Sequence, residues 1–90
     1  MQYMIIEKFR QGKIMEMYKR FEEKGRLMPD GLNYIGSWIT EDVLVCYQAM
    51  ETDDIDKLHQ WINNWNDLVE FEVIPVITSQ QAKEKVFQAQ

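Results

Sequence analysis

Three carboxylates, one amide and a few aromatic rings are the residues of this chain whose type and spacing could do chemistry. Glu7 stands in QYMIIEKF, Gln48 in VCYQAM, and Glu70 and Glu72 alternate through LVEFEVIPVI, each in a stretch that reads as a β-strand. Carboxylates crowded on one sheet face raise one another's pKa, and a pocketed carboxyl with a raised pKa is a candidate general acid or base. Glu7, expected on a central strand, is therefore the candidate catalytic residue. Tyr34, Trp38, Gln48, Glu70 and Glu72 are the candidate ligand-binding residues, with the two rings forming an aromatic wall. The bland alternative is solvation for Glu70 and Glu72 on an edge strand, and structural pairing for Glu7.

The single cysteine, Cys46, and the single histidine, His59, are weaker candidates. A thiolate nucleophile needs a nearby base, and zinc or iron sites recruit several Cys or His ligands. Cys46 reads as a small apolar strand residue and His59 as a rim position. No metal site and no cofactor are expected, and a hard cation among the carboxylates has no motif behind it.

The elements that must position these residues follow from periodicity. Residues 2–9 form a first strand, and from Lys13 the residues Ile14, Met17, Tyr18, Phe21 and Gly25 fall on one helical face. The other face of that helix offers Glu16 with Arg20 and Glu22 with Arg26 as i, i+4 pairs. The Pro29–Gly31 turn precedes a strand over 32–40, and a hairpin leads to another over 43–50. Thr52, Asp53 and Asp54 offer N-cap oxygens to a helix bearing Leu58, Trp61, Ile62 and Trp65. A fourth strand spans 68–77, and Thr78 with Gln81 makes a capping box for a last helix.

The order βαββαβ plus a C-terminal helix predicts one α+β domain over residues 1–90, with the ferredoxin-like antiparallel sheet 4-1-3-2 and both crossover helices on one face. Pro75 lacks an N–H and suits an edge, where this order places the fourth strand.

Side chains alternate across the sheet, so polar residues decide which parity faces the helices. Val69, Phe71 and Val73 are expected beneath the helices, with Glu70 and Glu72 on the far face. The same rule sends Glu7 and Gln48 to the far face with Tyr3, Ile5, Phe9, Leu44, Cys46 and Met50. That leaves Met4, Ile6, Val45, Tyr47 and Ala49 toward the helices. On the second strand Ile35, Ser37 and Ile39 are expected inward, and Tyr34 and Trp38 outward. A ligand should then bind on the far face, since Ile14, Phe21, Leu58 and Trp61 fill the helix side.

A far face this apolar calls for a cover, and a second copy of the sheet across a two-fold axis is the economical one. A homodimer is thus the expected partner, with a small apolar or aromatic molecule as the possible ligand. The net charge of −5 and the lack of a basic run argue against nucleic acid. No stretch approaches the roughly 18 apolar residues of a membrane span, and no secretory leader stands out, so a cytoplasmic location is expected.

The strings YMIIE, FEEKGR, CYQAMETDD and FEVIPVIT resemble domain-of-unknown-function family 3303, a set of short bacterial domains in the dimeric α/β-barrel superfamily. The resemblance runs nearly end to end, with the Cys-x-Gln-x-Met-Glu string and the two-Trp helix as its most specific parts. It implies the same fold and dimer but no activity, because the superfamily includes cofactor-independent monooxygenases, haem-handling proteins and ligand sensors. Two readings stay open: a small-ligand-binding protein, extending to a cofactor-independent enzyme of monooxygenase-like type, and a non-catalytic module whose sheet face is filled by its partner.

Overall fold

Strand-forming residues and turn glycines divide the chain into seven elements in a computed structural model, which describes residues 1–88. These are β1 (Gln2–Phe9), α1 (Ile14–Lys24), β2 (Asn33–Ile39), β3 (Val45–Glu51), α2 (Ile55–Asn63), β4 (Val69–Val76) and α3 (Ser79–Gln88). All strand pairings are antiparallel and the sheet order is β2-β3-β1-β4, the ferredoxin-like topology expected. β4 is an edge, as Pro75 requires.

Local chemistry sets the boundaries. Asp54 caps α2 by accepting from the Asp56 N–H, while the Thr52 hydroxyl accepts from the Asp54 N–H and donates to the Gly31 carbonyl. The capping box of α3 is reciprocal: the Gln81 N–H donates to Thr78 Oγ1, and the Thr78 N–H donates to Gln81 Oε1. Gly25 ends α1 at a φ of 68°, which a side chain would disfavour, and its N–H still reaches the Phe21 carbonyl. Arg26 therefore lies beyond the helix, and the expected Glu22–Arg26 pair does not form. Arg20 also leaves its expected helical partner, making a bidentate bond to Asp67 at 2.9 and 2.8 Å and donating to the Asn64 carbonyl.

The core is assembled under α2. Ile5, Met50, Leu58, Trp61, Trp65 and Leu32 form one buried cluster, with Phe71 and Val73 packed against it. The expected faces hold for β4 and are inverted for β1 and β3. Glu7 lies directly opposite Phe71 on one side and Cys46 on the other, and Ile5 lies opposite Gln48 and Val73. Cross-strand partners share a face, so Tyr3, Ile5, Glu7, Cys46, Gln48 and Met50 all lie beneath the helices, and Ile6, Lys8 and Tyr47 belong to the other face.

In β2 an irregularity between Tyr34 and Gly36 leaves Ile35 without a partner. The extra residue puts Tyr34 and Ser37 on one face, where their hydroxyls are 2.6 Å apart. Tyr34 is thus on the helix side and Ile35 is exposed, against expectation, while Ser37 and Ile39 are inward and Trp38 outward as expected. The molecule is 17 Å across its thinnest dimension, the thickness of a sheet with a single helical layer.

Candidate ligand-binding site

α1 and α2 cover the same sheet face unequally. α2 buries Leu58 and Trp61 completely or nearly so, whereas α1 buries none of its residues. Tyr18 of α1 meets Phe9 edge to face and Met17 packs against the core, and between α1 and the strands lies a cavity of about 210 Å³. Its floor is Glu7, Cys46, Gln48 and Val69, its inner wall is Trp61 and Trp65, and Arg26 stands at its margin.

Two atoms in the floor lack partners. Glu7 is 9 % exposed and Gln48 is 6 % exposed, yet Glu7 Oε2 and Gln48 Nε2 have no hydrogen bond. An unpaired buried polar group costs about 1–3 kcal/mol. Both sit on central strands with Glu7 one diagonal step from Gln48, within the reach of a single ligand group.

Burial is the dominant influence on Glu7. It pushes the carboxyl from 4.5 up to about 7, against the opposing pull of a hydrogen bond from Cys46 and the positive charge of Arg26. The Cys46 thiol is pushed up to about 12, by burial first and then by the adjacent Glu7 charge. A thiol held that high is not a nucleophile at neutral pH, which keeps Cys46 in a supporting role. Glu7, titrating near neutrality, can accept or donate a proton there.

Arg26 reads in the sequence as a helical partner of Glu22, not as a site residue. Its guanidinium carbon lies 3.9 Å from the centre of the Tyr34 ring and 5.1 Å from that of Phe21. Its carbonyl oxygen accepts two indole N–H groups, from Trp61 at 3.0 Å and Trp65 at 2.9 Å. Trp61 and Trp65 are core residues as expected, and their two hydrogen bonds to the Arg26 carbonyl hold both indole N–H edges in place. Gly25, whose φ of 68° ends the helix and releases Arg26 from it, was the available signal.

The expected site residues therefore divide. Glu7 and Gln48 come together in the cavity, with Tyr34 contributing through Arg26. Trp38, Glu70 and Glu72 lie on the opposite face. Trp38 is 63 % exposed, and Glu70 is paired with Arg10 at 3.3 Å. The helix side, expected to be full, holds the cavity, because α1 buries none of its residues against the sheet. His59 is exposed on α2.

Residues 1–90 match the family described as Domain of unknown function (DUF3303). The chain belongs to this family. No curated protein and no solved structure matches it. Among the described residues no helix of this family member is long and apolar enough to cross a membrane.

Proposed function

We propose that this DUF3303 chain is a small-ligand-binding protein of the dimeric α/β-barrel type, whose ligand sits between α1 and the sheet. The observation that carries the reading is the pair of unpartnered buried atoms, Glu7 Oε2 and Gln48 Nε2, in the floor of an otherwise apolar cavity. A ligand that pairs both removes a standing cost, which converts directly into affinity. The same placement supports a cofactor-independent reaction of monooxygenase-like type, in which Glu7 takes a proton from the bound substrate and Gln48 orients it. The lone cysteine, buried and unpaired, is in keeping with a cytoplasmic location.

The non-catalytic alternative draws on the other face. Ile35, Trp38, Tyr47 and Ile74 are exposed there, and α3 leaves Val86 and Phe87 exposed as well. The face measures roughly 500 Å² in projection. A second copy covering this face leaves the cavity free, so dimerisation and ligand binding do not compete. Sedimentation at micromolar concentration should give a dimer, and Trp38→Ser should shift it toward monomer. A wild-type chain that stays monomeric removes the dimer.

For the cavity, titration with phenol should move the Trp61 and Trp65 indole N–H and Gln48 amide resonances. Glu7→Gln should weaken binding by about tenfold or more, the value of one buried hydrogen bond to a carboxyl. Movement at Trp38 alone, or none, would sink the site.

A further inference from the structure

Resting on the cavity reading, we infer that the ligand is a small hydroxy-aromatic carboxylate, its carboxylate on Arg26 and its hydroxyl between Glu7 and Gln48. Arg26 carries the first half of the argument. It lines the cavity and has no carboxylate within 4.0 Å among the described residues, unlike Arg20 with Asp67 and Arg10 with Glu70. Its place is nevertheless fixed. The carbonyl is held by two indole N–H groups, and the guanidinium lies against Tyr34 and near Phe21. Tyr34 is steadied in turn by its 2.6 Å contact with Ser37. Stacking occupies the faces of a guanidinium and leaves its N–H edge free, the edge that binds a carboxylate in bidentate fashion.

The floor supplies the second half. Gln48 Nε2 is a donor needing an acceptor, and Glu7 Oε2 is an oxygen needing a partner. A hydroxyl satisfies both at once, accepting from the amide and donating to the carboxylate. The fixed positive charge belongs to Arg26, which is the end that favours a carboxylate and so fixes the ligand's direction. Between the two ends the walls are Trp61, Trp65 and Phe21, which suit an aromatic ring. The 210 Å³ available equals about seven water volumes, enough for one ring and its two substituents.

The test compares acids with their neutral amides. The probes are 3- and 4-hydroxybenzoate and 3- and 4-hydroxybenzamide, followed through the Trp61 and Trp65 indole resonances in wild type, Arg26→Gln and Arg26→Lys. In wild type at least one acid should bind tenfold or more tightly than its amide. Arg26→Gln should bring that ratio close to one while leaving amide affinity within about threefold, and Arg26→Lys should keep part of the preference. Equal affinity for acid and amide in wild type, or a preference that survives Arg26→Gln, overturns the inference while the cavity reading stands. If no acid, no amide and no phenol moves the two indoles, both fall together.

Discussion

One sheet face carries two helices, and the two ends of that face are built to different ends. Under α2, Ile5, Met50 and Leu58 are fully buried and Trp61 meets Phe71 edge to face at 5.3 Å. This end follows the rule that interiors are close-packed. Under α1 the same β1 and β3 present Glu7, Cys46 and Gln48 to a void, and α1 reaches the core only through the partly buried Met17. Its ties are the Arg20–Asp67 pair, the Arg20 bond to the Asn64 carbonyl and the edge-to-face contact of Tyr18 with Phe9. Stability is concentrated at one end and vacancy at the other, an arrangement in which a site can be strained without unfolding the chain.

The sharpest test of this contrast pairs two truncations. Leu58→Ala should cost about 2–5 kcal/mol, as expected for a leucine removed from a core that cannot collapse. Phe21→Ala removes a larger side chain but one that borders a void and is 38 % exposed, so it should cost only about 1 kcal/mol. Urea denaturation, read as a shift in midpoint at constant slope, measures both. Equal losses would mean that α1 packs down as tightly as α2 and that the void closes in solution.

The order of elements, the sheet topology and the α3 capping box could all be read from the sequence, because each rests on local periodicity or on residues three apart. The sheet face could not, and β1 shows why. Its two parities carry Glu7 and Lys8 respectively, so a rule that charges avoid the helices condemns both. Magnitudes separate them. Holding a lysine neutral at pH 7 costs about 5 kcal/mol against about 3 for a glutamic acid, so the carboxyl is the group that goes inside. On β4 only one parity is charged, and there the face was legible. Tyr34 was misplaced for a different reason: the unpaired Ile35 reverses the alternation, and only the neighbouring Gly36 hints at an irregular strand. The cavity itself has no sequence signature, since Met17, Tyr18 and Phe21 have the spacing of a packed helix and only the structure shows that they border a void and that α1 buries none of its residues.

The last expected effect sharpens the contrast most, because its size depends on pH and nearly vanishes at pH 4. The Glu7 carboxyl is at about 7 in the folded chain and 4.5 in its ordinary state, so between these values the folded form holds a proton that the unfolded form has released. Stability therefore falls as pH rises through that window. The penalty is absent below about 4.5 and complete above about 7, where it amounts to about 3 kcal/mol. Glu7→Gln carries no titrating group and has nearly the same shape. It should match wild type at pH 4 within about 1 kcal/mol, the scale of one exchanged hydrogen bond. At pH 8 it should be the more stable protein by up to about 3 kcal/mol. Cys46, pushed up to about 12, does not titrate in this range and leaves the comparison clean. Thermal unfolding of both proteins at pH 4, 6 and 8 reads the difference directly. A pH-independent difference would mean that Glu7 is ionised and solvated in the folded chain, so that the α1 end is an open cleft rather than a sheltered cavity. The expected pattern would instead mark Glu7 as a residue the fold keeps at a loss of stability, which is how a group retained for its chemistry behaves.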